Sequence, residues 1–240
     1  MAETNLIEFF KDIIFPPICS VCGKLEPAFL CDECRSKIIV IDKNTCYHCG
    51  RPFIDKKNFD IKICALCKND KYFFYKSRSF SFYKEPVVKI IQKYKYKKYY
   101  FLGRILADFL KQAYYKYFKS ERIDYIDTVP EYTDLRVKGL YNKNHMQAVA
   151  EELSKLINIP FINNMVKIKR TLRQQKLDYY QRNTNIEGAF KVKNCLLVSG
   201  KNLLLIDDVW TTGSTLNELS YVLKKSYAGK IYLLTIARGI

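Results

Sequence analysis

Two hydrophobic periods alternate along this chain. Leu203, Leu204, Leu205 and Ile206 form an unbroken apolar run with the length and branching of a strand buried on both faces, and Leu216, Leu219, Val222 and Leu223 recur behind it at helical spacing. The same succession is found upstream. Ser79 to Tyr83 reads as a short aromatic strand, and Pro86 opens a helix whose inner face is Val87, Ile90, Ile91 and Tyr94. A second helix turns Leu102, Ile105, Leu106, Phe109 and Leu110 inward. Asp124 to Val129 reads as a strand stopped by Pro130, followed by a helix with the buried stripe Met146, Val149, Ala150, Leu153 and Ile157. Lys230 to Ala237 is the last strand, entered through the Ala228-Gly229 turn. Strands alternating with helices predict an α/β domain with a mainly parallel sheet flanked by helices on both faces. The stretch from Arg170 to Phe190 has no convincing period and carries Arg170, Arg173, Lys176 and Arg182, so it reads as a mobile basic loop.

The front of the chain is of a different kind. Glu3, Glu8, Lys11 and Asp12 are set among Leu6, Ile7, Phe9, Phe10, Ile13 and Ile14, the pattern of an amphipathic helix and not of a signal-peptide core. No stretch reaches membrane-spanning length, and a cytoplasmic protein is expected. Eight of the nine cysteines fall into four CxxC pairs: Cys19 with Cys22, Cys31 with Cys34, Cys46 with Cys49, and Cys64 with Cys67. Two residues between thiolates let both sulfurs meet one tetrahedral Zn²⁺, so four pairs supply two closed, structural Cys₄ sites. A disulfide framework would need an oxidising compartment. Sequential grouping of the pairs is the simplest assignment; interleaved grouping stays open from spacing alone. Cys195 reads as a small buried hydrophobe and His48 as an exposed bystander. Residues 1–72 are expected to form a small double zinc-ribbon module that takes its stability from metal, leaving 73–240 for one α/β domain.

Past Ile206 the apolar run meets two acids and a hydroxyl-rich turn, LLLIDDVWTTGSTLN over 203–217. A helix N-terminus presents unpaired amides and about half a positive charge, so Thr211, Thr212, Gly213, Ser214 and Thr215 suit a phosphate group. Asp207 and Asp208, at the carboxyl end of a parallel strand, suit a ribose diol or a hydrated Mg²⁺. The chain has neither GxxxxGK[ST] nor GxGxxG, which removes nucleoside-triphosphate and dinucleotide sites of those types.

Charge adds one further expectation. Lys and Arg number 41 against 24 Asp and Glu, a net +17. Lys89, Lys93, Lys95, Lys97, Lys98 and Arg104 interleave with Tyr94, Tyr96, Tyr99, Tyr100 and Phe101, the mixture of cations and stacking rings that single-stranded nucleic acid uses. Lys93, Lys95, Tyr96, Lys97 and Lys98 are its centre. With 19 tyrosines in the chain, part of this mixture reflects overall composition.

The segment from Leu204 to Leu216 resembles the phosphoribosyl-pyrophosphate (PRPP) signature of type I phosphoribosyltransferases. That resemblance implies a type I phosphoribosyltransferase-like fold, ribose hydroxyls on Asp207 and Asp208, the 5′-phosphate on Thr211 to Thr215, Mg²⁺ bound together with PRPP, and a basic loop (Arg173, Lys176, Arg182) closing over pyrophosphate. The four CxxC pairs, then Thr171, Gln175, Leu177, Arg182, Asn185 and Gly188 to Phe190, then LLLIDDVWTTGSTL resemble, in that order, the ComF family of competence-associated proteins. This implies a part in natural transformation, handling single-stranded DNA in the cytoplasm beside other proteins of the DNA-uptake machinery. It leaves three functions in play: a PRPP-binding uptake accessory, a working phosphoribosyltransferase on a nitrogen acceptor, and a binding module with a vestigial pocket. Where the family usually shows Arg-Gly-Phe-Asn-Gln, this chain has Tyr141, Asn142, Lys143, Asn144 and His145, and Glu131 stands where the family tends to be apolar.

Overall fold

The computed structural model describes residues 18–42, 44–53, 63–69, 72–132, 144–171 and 185–239. Its main sheet has four strands, β1 (Lys76–Phe82), β2 (Tyr125–Thr128), β5 (Leu203–Trp210) and β6 (Ile231–Arg238), in the order β1-β6-β5-β2 and all parallel. All eight residues of β6 are buried, as a central strand covered on both faces requires. Odd and even positions of β5 part to opposite sides. Leu204 and Ile206 join Leu234 and Ile236 beneath α3 (Val87–Lys97), α4 (Leu102–Tyr117) and α5 (His145–Ile157). Leu203 and Leu205 join Ile231 and Leu233 beneath α7 (Ser214–Lys225) and the small antiparallel pair β3 (Met165–Lys167) and β4 (Phe190–Val192). Beyond the acids this alternation slips by one: Val209 packs with the first cluster and Trp210 with the second.

Two short helices, α1 (Asp32–Ser36) and α2 (Ala65–Asn69), follow Cys31 and Cys64, and α6 (Cys195–Val198) precedes β5. The front segment is divided by the sheet. Cys19, Cys31 and Cys34 belong to the first core cluster, whereas Cys46, Cys49 and Cys64 belong to the second. Between them the chain lies antiparallel along β1: the Ile41 amide donates to the Phe80 carbonyl at 2.9 Å, the Phe82 amide to the Ile39 carbonyl at 3.0 Å, and Val40 bridges Ser81.

Several expectations change in detail. Strand β5 does not stop at Ile206 but runs on through both acids, because its pairing with β6 continues to Trp210 opposite Arg238. Strand β1 begins at Lys76, and β4 starts at Phe190, where the sequence suggested loop. Along α4, Ile105 is only half-buried, and the inward place is shared by Gly103, whose Cα lets the Tyr94 ring approach: a Cβ there would stand 3.3 Å from it. Cys195 is exposed at the start of α6, not buried. The expected amphipathic helix within 1–17 lies outside the described residues.

Candidate functional site

The loop after β5 is shaped by one glycine. Gly213 has φ +82°, a left-handed conformation costly for any residue with a Cβ, and a Cβ built there would lie 2.3 Å from Trp210 Cζ2. Gly213 also caps α7 without offering a side chain to its first turn. Thr212 Oγ1 and Ser214 Oγ hydrogen-bond each other at 2.9 Å, turning these two hydroxyls along the loop. Asp207, Thr211, Gly213, Ser214 and Thr215 line a small cup, and Asp207, Asp208, Thr211 and Thr215 also line the adjoining cavity of about 590 Å³. The two acids and the hydroxyl loop therefore open on one space.

Three elements bring charge to that space. Lys95 of α3 is bonded to Asp208 Oδ2, and His145, the first residue of α5, places Nε2 at 3.4 Å from the same oxygen. His145 Nδ1 lies 2.7 Å from Glu131, its carbonyl accepts from the Tyr94 hydroxyl at 2.7 Å, and its neighbour Asn144 caps α5 while donating to the Val129 carbonyl at 2.7 Å. Lys167, from β3, lines the cavity opposite, bonded to Thr171 Oγ1 at 2.6 Å. Burial and the neighbouring Asp208 push Asp207 up to about 7. Burial also opposes charge on Asp208, but the hydrogen bond from His145 and the Lys95 ammonium outweigh it and hold that carboxyl well below the usual range. Burial works against charging His145, yet its bonds to Asp208 and Glu131 push it up to about 9. Asp208 thus stands as an anion between two cations, with Glu131 on the other side of His145 and the desolvated Asp207 beside it.

Lys95, expected on the nucleic-acid surface, points instead into the cavity. It sits one helical turn after the buried Ile91 and next to the buried Tyr94, which carries it onto the inner side of α3. Tyr96, Lys97 and Lys98 are exposed, as are Tyr99, Tyr100 and Phe101, and the Lys93 ammonium lies 5.5 Å from the Tyr99 ring centre. Tyr96 also reaches the cavity rim, so patch and cavity adjoin. Arg173, Lys176 and Arg182 lie outside the described residues, as do Tyr141, Asn142 and Lys143.

The cysteines gather in two sets, Cys19, Cys22, Cys31 and Cys34, and Cys46, Cys49, Cys64 and Cys67, the sulfurs of each lying within 4.8 Å of one another. Four thiolates at this separation, among them Cys22–Cys31 and Cys49–Cys64 at 3.7 Å, fit the edge of a tetrahedron whose Zn–S bonds are about 2.3 Å. Each set turns on a left-handed glycine, Gly23 and Gly50, whose amide closes back on Cys19 and Cys46 at 2.9 and 3.0 Å. In each, a later cysteine amide points at an earlier sulfur: Cys31 to Cys19 at 3.4 Å and Cys64 to Cys46 at 3.3 Å. These are two Cys₄ zinc-binding sites grouped sequentially. His48 is not a ligand and not an exposed bystander: half-buried, it stacks on Phe74 with ring centres 4.5 Å apart.

Sequence reasoning did not assign Lys95 to the clamp, and it missed Lys167 altogether. Glu131 and His145 showed only as departures from a family pattern, and the structure brings those two departures together.

A parallel α/β sheet with an acid pair and a hydroxyl loop at the end of β5, fronted by two Cys₄ centres, defines a phosphoribosyltransferase-like domain with an N-terminal zinc ribbon. The double zinc ribbon domain family matches residues 10–70. Competence protein F of Haemophilus influenzae is 30% identical over 220 residues, spanning 88% of this chain and 90% of that one. Competence protein ComFC of Bacillus subtilis is 24% identical, spanning 88% and 84%, and the DNA utilization protein YhgH of Escherichia coli K12 is 22% identical, spanning 88% and 91%. The chain belongs to the ComF family of competence proteins. Among solved structures, adenine phosphoribosyltransferase of Saccharomyces cerevisiae is similar at 14% identity and a TM-score of 0.37, over 58% of this chain and 69% of that one. Glutamine PRPP amidotransferase of Bacillus subtilis is similar at 16% identity and 0.38, over 55% and 25%. At such scores neither fixes the fold, which rests on the strand order itself.

Proposed function

We propose that this ComF-family protein binds PRPP with Mg²⁺ in the cavity at the end of β5 and single-stranded DNA on the adjoining patch of α3 and the turn after it. The observation that carries the first half is the convergence of Asp207, Asp208 and the Gly213 loop on a single space. Asp207 and Asp208 accept the ribose hydroxyls, and Thr211 to Thr215 take the 5′-phosphate on hydroxyls and amides at the start of α7. To receive the diol, Asp208 gives up Lys95, whose ammonium then faces the pyrophosphate together with Lys167. Carboxylate oxygens are the donors that Mg²⁺ prefers, and the ion supplies charge neutralisation for the pyrophosphate. Calorimetry tests this: PRPP with Mg²⁺ binds the wild type, and Asp208→Asn or Gly213→Ala loses the heat of binding. Absence of binding by the wild type defeats the reading.

Support for the DNA half is the exposure of Tyr96, Tyr99, Tyr100 and Phe101 beside Lys97 and Lys98. Rings take bases at about 1–3 kcal/mol each, and lysines take phosphates. Affinity for a single strand should fall with salt at a log–log slope of roughly −0.7 per neutralised phosphate; a flat response defeats it. Action in the cytoplasm beside other DNA-uptake proteins is part of the same proposal. No described helix is long and apolar enough to cross a membrane. A working transferase is the second reading, favoured by the His145–Glu131 pair, an acid–base couple standing in the cavity past the diol clamp. Pyrophosphate release from PRPP that depends on an added nucleobase tests it.

A further inference from the structure

Trp210 is the chain's single tryptophan and is 3% exposed. One edge of its ring fills the space under Gly213, so the indole is the floor of the loop at its sharpest bend. Two lines of contact reach that indole from the second ribbon knuckle. In the first, the Arg238 guanidinium stands 4.8 Å from the ring centre and its Nη1 donates to the Cys49 carbonyl at 2.7 Å. In the second, Phe74 meets the indole edge-on at 5.6 Å and is itself stacked on His48, whose Nε2 lies 2.8 Å from the Phe74 carbonyl. His48 and Cys49 belong to the Cys46-x-x-Cys49 knuckle. That knuckle is seated without clearance, since a Cβ on Gly50 would stand 2.5 Å from the Ser77 carbonyl oxygen.

We propose that Arg238 and Trp210 are positioning residues that tie the phosphate loop to the second zinc site, so that metal on Cys46, Cys49, Cys64 and Cys67 sets the shape of the loop. The proposal rests on the reading that this loop holds the PRPP phosphate. The physical reason is local. Without metal the four sulfurs lose the ion that holds them within 4.8 Å of one another, and the turn that presents the Cys49 carbonyl is no longer pinned. When the Cys49 carbonyl leaves, Arg238 retains a buried donor without its acceptor and has to move to satisfy it, which takes its plane off the indole. The floor under Gly213 then loosens, and a loop whose hydroxyls were preorganised for a phosphate no longer is. The first zinc site makes its polar and aromatic contacts elsewhere, from Phe29 to Phe101, from Val21 to Lys89 and from Arg35 to Asp108.

The lone indole makes the experiment direct. In the zinc-loaded full chain, Cys67→Ser should lower the zinc content by one ion, shift Trp210 emission to the red and raise its quenching by acrylamide several-fold. Cys22→Ser, which empties the first site, should leave the emission where it was. Should Cys67→Ser fail to fold, Arg238→Gln keeps both metals and removes the stack; it should weaken PRPP–Mg²⁺ binding at least tenfold, and Arg238→Lys, which restores charge without a plane, should not rescue it. Loss of the second zinc with unshifted emission overturns the proposal, as do an equal shift in Cys22→Ser and wild-type affinity in Arg238→Gln. If the wild type binds no PRPP at all, the proposed ligand is wrong, yet the indole still reports whether metal and loop are linked.

Discussion

The two zinc knuckles are built from the same parts, a CxxC pair followed by a left-handed glycine and a second pair that opens a short helix, yet they lie against opposite faces of the sheet. The first faces α3 and α4, where Phe29 meets Phe101 in a tilted ring contact at 4.4 Å and Lys89 donates to the Val21 carbonyl. It holds the base of the basic, aromatic patch. The second faces β1 and β6, with Arg78 and Arg238, both buried, donating to the Tyr47 and Cys49 carbonyls at 3.0 and 2.7 Å. Burial works against the charge of both guanidiniums, so each depends on the carbonyls that the knuckle turns toward it. Three cysteines of each lie in a core cluster, but one repeat carries the aromatic patch and the other supplies acceptors to two buried guanidiniums. The shared CxxC pairing therefore says nothing about how much of the domain depends on each metal.

Removing the metals separates the two most strongly. Zinc contributes on the order of 10 kcal/mol or more to such a module, so chelation should unfold both knuckles. Cys46→Ser, at a fully buried position, should lower the melting temperature of the whole domain, while Cys22→Ser, at an exposed one, should spare most of it. Circular dichroism melts that fall equally would end the distinction.

The knuckle glycines give a finer test. Both have positive φ, but a Cβ at Gly23 meets nothing within 4 Å, whereas at Gly50 it meets Ser77 backbone. Gly23→Ala should cost about 1–2 kcal/mol for the left-handed backbone alone, and Gly50→Ala about 1–3 kcal/mol more for overpacking. Urea denaturation midpoints measure the difference; equal costs would mean that the second knuckle is not seated tightly.

Titration probes the first face, where His145 and Lys95 meet Asp208. The raised His145 pKa, about 9 against 6.5 when unfolded, means that its stabilisation is complete below pH 6.5 and is lost as pH climbs through 9. His145→Gln should therefore be less stable than the wild type by ~1–3 kcal/mol at pH 6, with the gap narrowing from pH 6.5 upward and closed above pH 9. A gap independent of pH would show that packing, not charge, is what His145 supplies. The smallest effect belongs to the patch: Lys97→Ala and Lys98→Ala should each reduce the salt slope of single-strand binding by about 0.7 and leave PRPP affinity unchanged. Equal loss of both ligands would merge the two adjoining surfaces into one site.

Much of this was legible along the chain, and the parts that were not share a cause. Strands β5 and β6 and helices α3, α4 and α5 announce themselves because burial imposes a period on Leu203 to Ile206 and on Met146, Val149 and Leu153. Asp207, Asp208 and Gly213 are legible because strand, acids and turn are contiguous. Strands β3 and β4, three residues each, are too short to display a period. Lys95, Glu131, His145 and Lys167 come from four separate segments, and only the packing of α3, α5 and β3 around the cavity brings them together. Lys95 looked like its lysine neighbours because a count of charges cannot tell which side of a helix each one takes. Arg238 lies one residue past the strand read from Lys230 to Ala237, and nothing in its surroundings advertised a partner 189 residues away.

The stretch joining the knuckles, Ile39 to Ile41, covers the outer margin of β1. A bare strand margin offers a row of unsatisfied amides and carbonyls on which another chain can assemble. Ribbon and sheet thus guard each other: a molecule deprived of zinc would bare a ready template for strand addition by a second copy.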